Sequence, residues 1–167
     1  LRVEDRRTGM GLENSSNNTP DLPLQLLKEN FPDAVLDTLL PQGDATAIIR
    51  SDSLAKIIEF LKFDPRLQFD VLIDITAVDY VDRKPRFDVV YHFLSPKQNA
   101  RLRLKVMTDE TTPVPSIIGE FPGADWFERE TYDLYGVLFT GHPDLRRLLT
   151  DYGFEGHPLR KDFPLTG

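Results

Sequence analysis

Glu130 is the side chain of this sequence that could most directly carry acid–base chemistry. The segment around it has a helical pattern, and three residues correspond to about 300° around a helix, so Glu130 lies close to Phe127 and beside the predicted apolar stripe. A partly buried carboxylate in that position could act as a general acid or base. The alternative, a carboxylate held by Arg129, Arg146 or backbone donors, is favoured because no second catalytic group stands at a defined spacing.

The three histidines, His92, His142 and His157, do not have the spacing of metal ligands. Zinc and iron sites need histidines that converge with carboxylates or cysteines, and the sequence has neither a His-x-x-x-His pair nor a cysteine. We therefore predict that the rings pack or form hydrogen bonds instead. The missing cysteines also exclude disulfides and cysteine-held iron–sulfur clusters from this chain.

Composition and missing motifs exclude several other functions. There is no glycine-rich dinucleotide signature, no Walker-type loop and no Gly-x-Ser-x-Gly elbow. A formal net charge of -7 argues against nucleic acid as a partner. No apolar run approaches the roughly 20 residues needed to cross a bilayer, so any membrane link must go through another subunit. If the chain serves an electron-transfer enzyme, the cofactors must lie on its neighbours.

The segment after Gly136 has no helical period and is rich in arginine, glycine and proline. It contains Gly-His-Pro twice, at 141–143 and 156–158, and each proline biases the histidine before it towards extended backbone. An extended segment must be solvated or lie on another surface to satisfy its backbone groups. Bases alternate with apolar residues, which favours a partner interface over a solvated surface. The bases are Arg146, Arg147, Arg160 and Lys161, and the apolar residues are Leu145, Leu148, Leu149, Leu159 and Phe163.

Periodicity predicts the elements that must position these residues. A helix begins near Pro23, where Asp21 can cap it, and ends at Pro32. Turn residues at 41–44 predict a hairpin. The clearest helix runs from 51 to 62, because four apolar residues share one face: Leu54, Ile57, Ile58 and Leu61. Alternation predicts strands at 34–39, 45–50, 69–77, 87–93 and 101–106, with the odd-numbered residues of 69–77 on one apolar face.

Two further helices are predicted after the strands. A short one covers 116–120, and a longer one begins at Asp125, with Glu128 in the capping-box position three residues later. Arg129 can pair with Asp133 one turn along this longer helix. Its buried stripe is predicted to consist of Phe127, Thr131, Leu134 and Tyr135.

These elements predict an α+β fold. It is a two-layer α/β domain at 21–136 with the order α-β-β-α-β-β-β, and its mixed, largely antiparallel sheet carries two helices on one face. Residues 1–20 are predicted to be a mobile tail or, alternatively, an arm docked on a partner, and residues 137–167 an extended partner-binding arm. Because the chain begins at Leu1 and not at Met, we expect a processed or trimmed N-terminus, and a cut or ordering limit at Gly167.

A pattern of spaced residues runs through the longer helix and the arm. It reads Glu-Arg-Glu, an acid, two apolar residues, a histidine, a base and two more apolar residues, and it is filled by Glu128, Arg129, Glu130, Asp133, Leu134, Tyr135, His142, Arg146, Leu148 and Leu149. This pattern resembles that of the 30-kDa subunit of the proton-pumping NADH:quinone oxidoreductase, respiratory complex I. The run at 156–164 also looks like the family's, and the resemblance elsewhere is limited to the order of elements.

The resemblance implies an accessory subunit of the peripheral arm, with no catalytic site and no cofactor of its own. Such a protein packs on the neighbour that helps to form the quinone site, the quinone-site subunit, and reaches the membrane only through the complex. FMN, iron–sulfur clusters, NADH and quinone lie on other subunits, at the cytoplasmic side of a bacterial inner membrane or the matrix side of the mitochondrial one. The implied interface residues are Glu128, Arg129, Glu130, Asp133, His142, Asp144, Arg146, Arg147, His157, Arg160, Lys161 and Asp162.

Two alternatives remain open from the sequence. Energy-conserving membrane-bound [NiFe] hydrogenases use a similar domain, so the chain could belong to such an enzyme. A stand-alone hydrolase that uses Glu130 and a histidine is the second alternative, and it differs from the others because the isolated chain would be active.

Overall fold

Five strands form the central sheet of this computed structural model, which describes residues 21–41 and 44–164. In the spatial order β1-β2-β5-β4-β3, all neighbours are antiparallel except β2 and β5, which are parallel. The predicted α+β class with a mixed, largely antiparallel sheet is thereby confirmed. The predicted tail at 1–20 and the centre of the turn at 41–44 lie outside the described residues. The strands are β1 (Val35–Leu39), β2 (Ala45–Ile49), β3 (Val71–Asp79), β4 (Phe87–Ser95) and β5 (Ala100–Thr108).

Two helices, α1 (Leu22–Asn30) and α2 (Leu54–Phe63), share one hydrophobic core with the sheet. The predicted apolar face of α2 is confirmed, because its four residues are at most 1% exposed, and burying each contributes about 1.5–3 kcal/mol. A short 3-10 turn, Ser51–Ser53, precedes α2. No helix within residues 21–41 and 44–164 is long and apolar enough to cross a membrane.

The first half of β3 departs from the predicted alternation. Ile75 and Ala77 are buried as expected, but Val71 and Ile73 are 38% and 42% exposed. The register shifts between Leu72 and Asp74, which pair with consecutive residues of β4. Ile73 is thus the extra residue of a β-bulge, which turns side chains away from their expected side. The prediction of one continuous apolar face was wrong here because a bulge leaves no mark in a run of apolar residues.

The short helix predicted at 116–120 is wrong, because these residues end in a turn at 118–120 and a short strand precedes them. Val114–Pro115 (β6) pairs in parallel with Phe139–Thr140 (β7), and a turn follows. The last helix, α3, spans Ala124–Tyr135. β6 and β7 therefore bring the two ends of the α3 region together.

The helix caps differ from those predicted. Asp21 is the N-cap of α1 but makes no side-chain cap hydrogen bond. The N-cap of α3 is Gly123, and Asp125 lies inside the first turn. The capping box of Asp125 and Glu128 is therefore wrong, because Glu128 points into the protein and not back towards the helix end.

Candidate partner-binding surface

The helix α3 buries two of its acidic side chains, although its pattern predicts only apolar residues and a threonine inside. Glu128 and Asp133 are both 0% exposed, as buried as Ala124. Thr131 is also buried, as predicted, whereas the other three residues of the predicted stripe are only half-buried. A buried charge is costly unless hydrogen bonds satisfy it, so each carboxylate must have strong partners.

Glu128 is held by the loop that leads into α3. The Ser116 hydroxyl donates to its Oε2 at 2.7 Å, and the Ile117 N–H donates to its Oε1 at 2.8 Å. Burial raises the pKa of Glu128, and these two hydrogen bonds oppose the rise.

Asp133 is held by the arm that follows α3. Its Oδ2 accepts the N–H groups of Leu148, Leu149 and Thr150 at 2.7–3.0 Å. Its Oδ1 accepts the Thr150 hydroxyl at 2.6 Å and Arg147 Nη1 at 3.0 Å. Burial alone would raise the pKa of Asp133, but hydrogen bonds led by those from Thr150 outweigh it and hold the pKa well below its usual range. Asp133 thus ties three successive residues of the arm to the helix.

The first Gly-His-Pro triplet places His142 at the N-terminal end of α3. The Asp144 N–H donates to its Nδ1 at 3.0 Å, so the ring proton lies on Nε2. This Nε2 is 3.4 Å from the Asp125 carbonyl oxygen, 3.3 Å from Asp125 Oδ1 and 4.0 Å from Glu128 Oε2. His142 therefore links the start of the arm to the first turn of α3.

The second Gly-His-Pro triplet caps the C-terminal end of α3. A helix leaves its last carbonyl groups without helical partners, and here residues of the arm supply the donors. His157 Nδ1 donates to the Asp133 carbonyl at 2.8 Å, the Leu159 N–H to the Leu134 carbonyl at 3.0 Å, and Arg160 Nε to the Tyr135 carbonyl at 2.6 Å. The repeated triplet thus has a structural meaning, because each copy holds one end of the same helix.

The end of the arm is held by the sheet. Arg86 binds Asp79 through two hydrogen bonds, of 2.6 and 2.8 Å, and binds Asp162 through two more, of 2.8 and 3.0 Å. The same Asp79 accepts the Lys161 N–H at 2.8 Å. Hydrogen bonding to Arg86 holds the pKa of Asp79 below its usual range. Bidentate pairs of this kind are strong and geometrically specific, so residues 161–162 are fixed on this chain's own domain.

The structure corrects one sequence interpretation and bears on two others. Arg129 does not pair with Asp133, since Arg129 donates to the carbonyls of Arg146 and Arg147 at 3.2 and 3.4 Å. Glu128 and Asp133 are both 0% exposed in this chain, so we expect them to hold the loop and the arm, and their place among the interface residues stays a prediction. Many backbone groups of the arm form hydrogen bonds with α3, so these groups need no other protein to satisfy them. Binding of a partner by the outer side of the arm stays a prediction.

Glu130 and the histidines do not form a catalytic arrangement. Glu130 is half-buried and lines a small polar cleft of about 210 Å³ with Asp74, Thr76 and Tyr135. His92 accepts a hydrogen bond from Arg103 at 3.0 Å, and the other two histidines bind the ends of α3. These partners agree with the predicted hydrogen-bonding role of the rings and give no support to a hydrolase. Within the described residues, no group of three or more histidines and carboxylates could hold a metal ion.

The outer side of α3 and the arm carries large apolar side chains that the sequence interpretation did not single out together. Trp126 is 59% exposed, Leu149 59%, Leu159 50% and Tyr152 fully exposed. Arg129 stacks on Trp126, with 5.3 Å between the guanidinium carbon and the ring centre. Tryptophan, tyrosine and arginine dominate the energetics of protein interfaces. Trp126 could have been found because it lies outside the predicted buried stripe of α3, about 100° around the helix from Phe127.

Replacing Arg147 with Ala should destabilise the isolated chain much more than replacing Arg146 with Ala. The Arg147→Ala change removes a charged donor from buried Asp133, and we expect the free energy of unfolding of the isolated chain to fall by about 2 kcal/mol. Arg146 pairs with Asp144 at 2.6 Å on the surface, where the Arg146 side chain is 74% exposed. Arg146→Ala should therefore change the free energy of unfolding by less than about 0.5 kcal/mol. Urea unfolding followed by circular dichroism measures the stability of both variants. Equal losses of stability would contradict the assigned roles.

Comparison with protein families gives a match over most of the chain. The family described as "Respiratory-chain NADH dehydrogenase, 30 Kd subunit" matches residues 47–167. Among curated relatives, an NADH-quinone oxidoreductase C subunit of Mesorhizobium japonicum is 64% identical over 141 residues, which cover 84% of this chain and 70% of that protein. A protein of the same name from Xanthobacter autotrophicus is 63% identical over 134 residues, which cover 80% of this chain but only 64% of the relative.

A solved structure shares the fold. A chain of the membrane-bound sulfane sulfur reductase, described as an archaeal respiratory membrane complex, superposes with a TM-score of 0.68. The alignment covers 85% of this chain and 84% of that one, at 22% sequence identity. At that identity the likeness establishes the common fold alone.

Proposed function

The chain belongs to the 30-kDa subunit family of respiratory-chain NADH dehydrogenase, and on that basis we propose that it is a cofactor-free accessory subunit of the peripheral arm of an NADH:quinone oxidoreductase. In this proposal it packs on the quinone-site subunit, the neighbour that helps to form the quinone site. It supports electron transfer from NADH to quinone by holding that neighbour in place and performs no chemistry itself.

One observation carries the proposal. The outer side of α3 and the arm exposes Trp126, Leu149, Tyr152 and Leu159 next to arginines, although the inner side of the same elements is closely bonded to the domain. Exposed aromatic side chains beside arginines are typical of protein interfaces. Because α3 and the arm carry the residues of the family pattern, we place the contact with the quinone-site subunit on this outer side.

The remaining parts of the proposal concern cofactors and location. No cysteine stands in these 167 residues, so iron–sulfur clusters, together with FMN, NADH and quinone, are assigned to other subunits. The chain itself is then held at the cytoplasmic side of a bacterial inner membrane, or the matrix side of the mitochondrial one, through the complex alone. The hydrogenase alternative is less favoured, because the curated relatives reported above carry the name of the NADH-quinone enzyme.

Affinity purification from membranes tests the proposal. A tagged chain should recover an assembly that reduces quinone with NADH, and cross-linking with mass spectrometry should join α3 or the arm to the quinone-site subunit. Recovery of the tagged protein by itself, or with an assembly that evolves hydrogen, would contradict it.

Loss of Trp126 should weaken assembly specifically. We expect Trp126→Ala to reduce the affinity of the chain for the rest of the complex by about 2 kcal/mol, roughly 30-fold, because an exposed aromatic anchor is removed. Phe63→Ala is the matched control, since Phe63 is an equally large aromatic side chain that is 68% exposed on another element, at the end of α2. Competition between tagged parent and variant chains during reassembly measures the difference. Equal losses for the two variants would mean that Trp126 does not face the partner.

A further inference from the structure

A groove separates the exposed side of α3 from the first half of the arm. Its volume is about 680 Å³, within the range of roughly 300–1,000 Å³ that accommodates small ligands. We call it the α3–arm groove. Residues that line it include Arg129, Tyr132, Arg146, Arg147, Asp151 and Tyr152.

The lining of this groove is positively charged on an acidic chain. It carries three arginines against one aspartate, Asp151, whereas the formal net charge of the whole sequence is -7. Arg147 is neutralised by Asp133, and Arg146 by Asp144, through ion pairs of 3.0 and 2.6 Å. Of the three arginines in the groove, one therefore remains for which no ion pair has been described.

That arginine is Arg129. Its guanidinium donates to two backbone carbonyls and lies on the ring of Trp126, so its orientation is fixed. Across residues 21–41 and 44–164, no carboxylate lies within ion-pair distance of it. Its charge helps to lower the pKa of Asp144, but the main cause there is the hydrogen bond with Arg146. A guanidinium held in place without a counter-charge is well suited to bind a carboxylate from outside.

We propose that the α3–arm groove receives an acidic segment of a partner subunit, whose carboxylate binds Arg129. An apolar side chain beside that carboxylate packs against Tyr152, which lines the groove and is fully exposed in this chain. This inference rests on the proposed function, because it describes how the outer side of α3 and the arm recognises its neighbour. It adds the chemistry of the occupant, an acidic and partly apolar segment, and the residue that selects it.

Photo-cross-linking in the purified complex tests the groove directly. The probe p-benzoylphenylalanine is placed at position 152, where a fully exposed side chain makes substitution harmless to folding, and at position 63 as a control on α2. Sequencing of the cross-linked peptides should show that position 152 captures a segment with Asp or Glu next to apolar residues. Position 63 should not capture that segment.

A charge reversal gives the second measurement. Arg129→Glu should lower incorporation of the chain into the complex by at least about tenfold, since a charge-assisted pair is lost. Arg101→Glu, on the exposed side of β5, should leave incorporation unchanged. Hydrogen exchange of residues 146–148 in the isolated chain shows whether Arg129→Glu has disturbed the arm. If Arg129→Glu has disturbed the arm, the groove inference is judged from the cross-linking result at position 152 alone.

The outcomes separate the two proposals. If no assembly is recovered with the tagged chain, the proposed function fails. If the complex is recovered but position 152 captures a basic segment or nothing, the groove inference is overturned while the proposed function stands. Capture of an acidic segment together with normal incorporation of an undisturbed Arg129→Glu variant would also overturn it, because Arg129 would then not be the selecting residue.

Discussion

Replacing Asp133 with Asn is expected to lower the free energy of unfolding by about 3–5 kcal/mol, the usual cost of breaking a buried charge network. The substitution keeps the shape of the side chain but removes the charge that five donors of the arm share. It also places an amide NH₂ against those donors, where only one oxygen can still accept. The arm should therefore leave α3 more often, and amide exchange at 148–150 should accelerate in the isolated chain.

Asp151→Asn is the matched control for this substitution. Asp151 lies one residue beyond Thr150 in the same arm, but it is exposed, so its variant should unfold like the parent within about 0.5 kcal/mol. Chemical unfolding and hydrogen exchange of the three isolated proteins give the comparison. An Asp133→Asn variant with parental stability and protected amides at 148–150 would show that the arm is held by other contacts.

The contribution of Asp133 should also depend on pH in a defined direction. Its folded pKa lies below the unfolded value of about 3.9, so its stabilising effect is fully present above that value and is lost as the pH falls towards the folded pKa. The difference in unfolding free energy between the parent and Asp133→Asn should therefore be constant from about pH 5 to 8 and shrink below about pH 4. A difference that grew on acidification would contradict the assignment.

The sheet and the first two helices could be predicted because their apolar residues follow a simple period. Ile57 and Ile58 face the core as the helical spacing requires, and Leu102 and Leu104 alternate inward along β5. Such patterns reflect burial against the chain's own core, which is the strongest local constraint on a sequence. The bulge at Ile73 escaped prediction because it depends on the pairing of β3 with β4 and not on residue type.

The inner side of α3 could not be predicted by the same reasoning. A hydrophobic stripe identifies the buried face of a helix only when the covering surface is apolar, and here the covering surface is a polar arm. Glu128 and Asp133 are buried because loop and arm amides supply donors, and these contacts join residues up to 17 positions apart. The repeated Gly-His-Pro triplet was visible, but its relation to the two ends of one helix required the folded chain.

Gly136→Ala should lower the free energy of unfolding by about 2–5 kcal/mol, of which about 1–2 kcal/mol arises from backbone strain. Gly136 ends α3 with φ of +77°, a conformation that costs an L residue about 1–2 kcal/mol. A Cβ there would also clash with Arg160 Nη2, and it would meet His157 Nε2 at 2.6 Å. These side chains cap the helix end, so they must move, and such overpacking adds about 1–3 kcal/mol.

Gly141→Ala isolates the contribution of backbone strain, and the difference between the two variants gives the contribution of the close contacts. Gly141 has nearly the same φ, +82°, but a Cβ there would meet nothing within 4 Å, so only the strain of about 1–2 kcal/mol should be seen. Thermal and urea unfolding of the two isolated variants measure the difference, and amide exchange at 157–160 should rise in Gly136→Ala alone. If the two variants lose equal stability and keep equal protection, the second Gly-His-Pro triplet does not hold the C-terminal end of α3 in solution. The close approach of the arm at Gly136 would then be unimportant for the fold, and the arm would gain its order only from a partner.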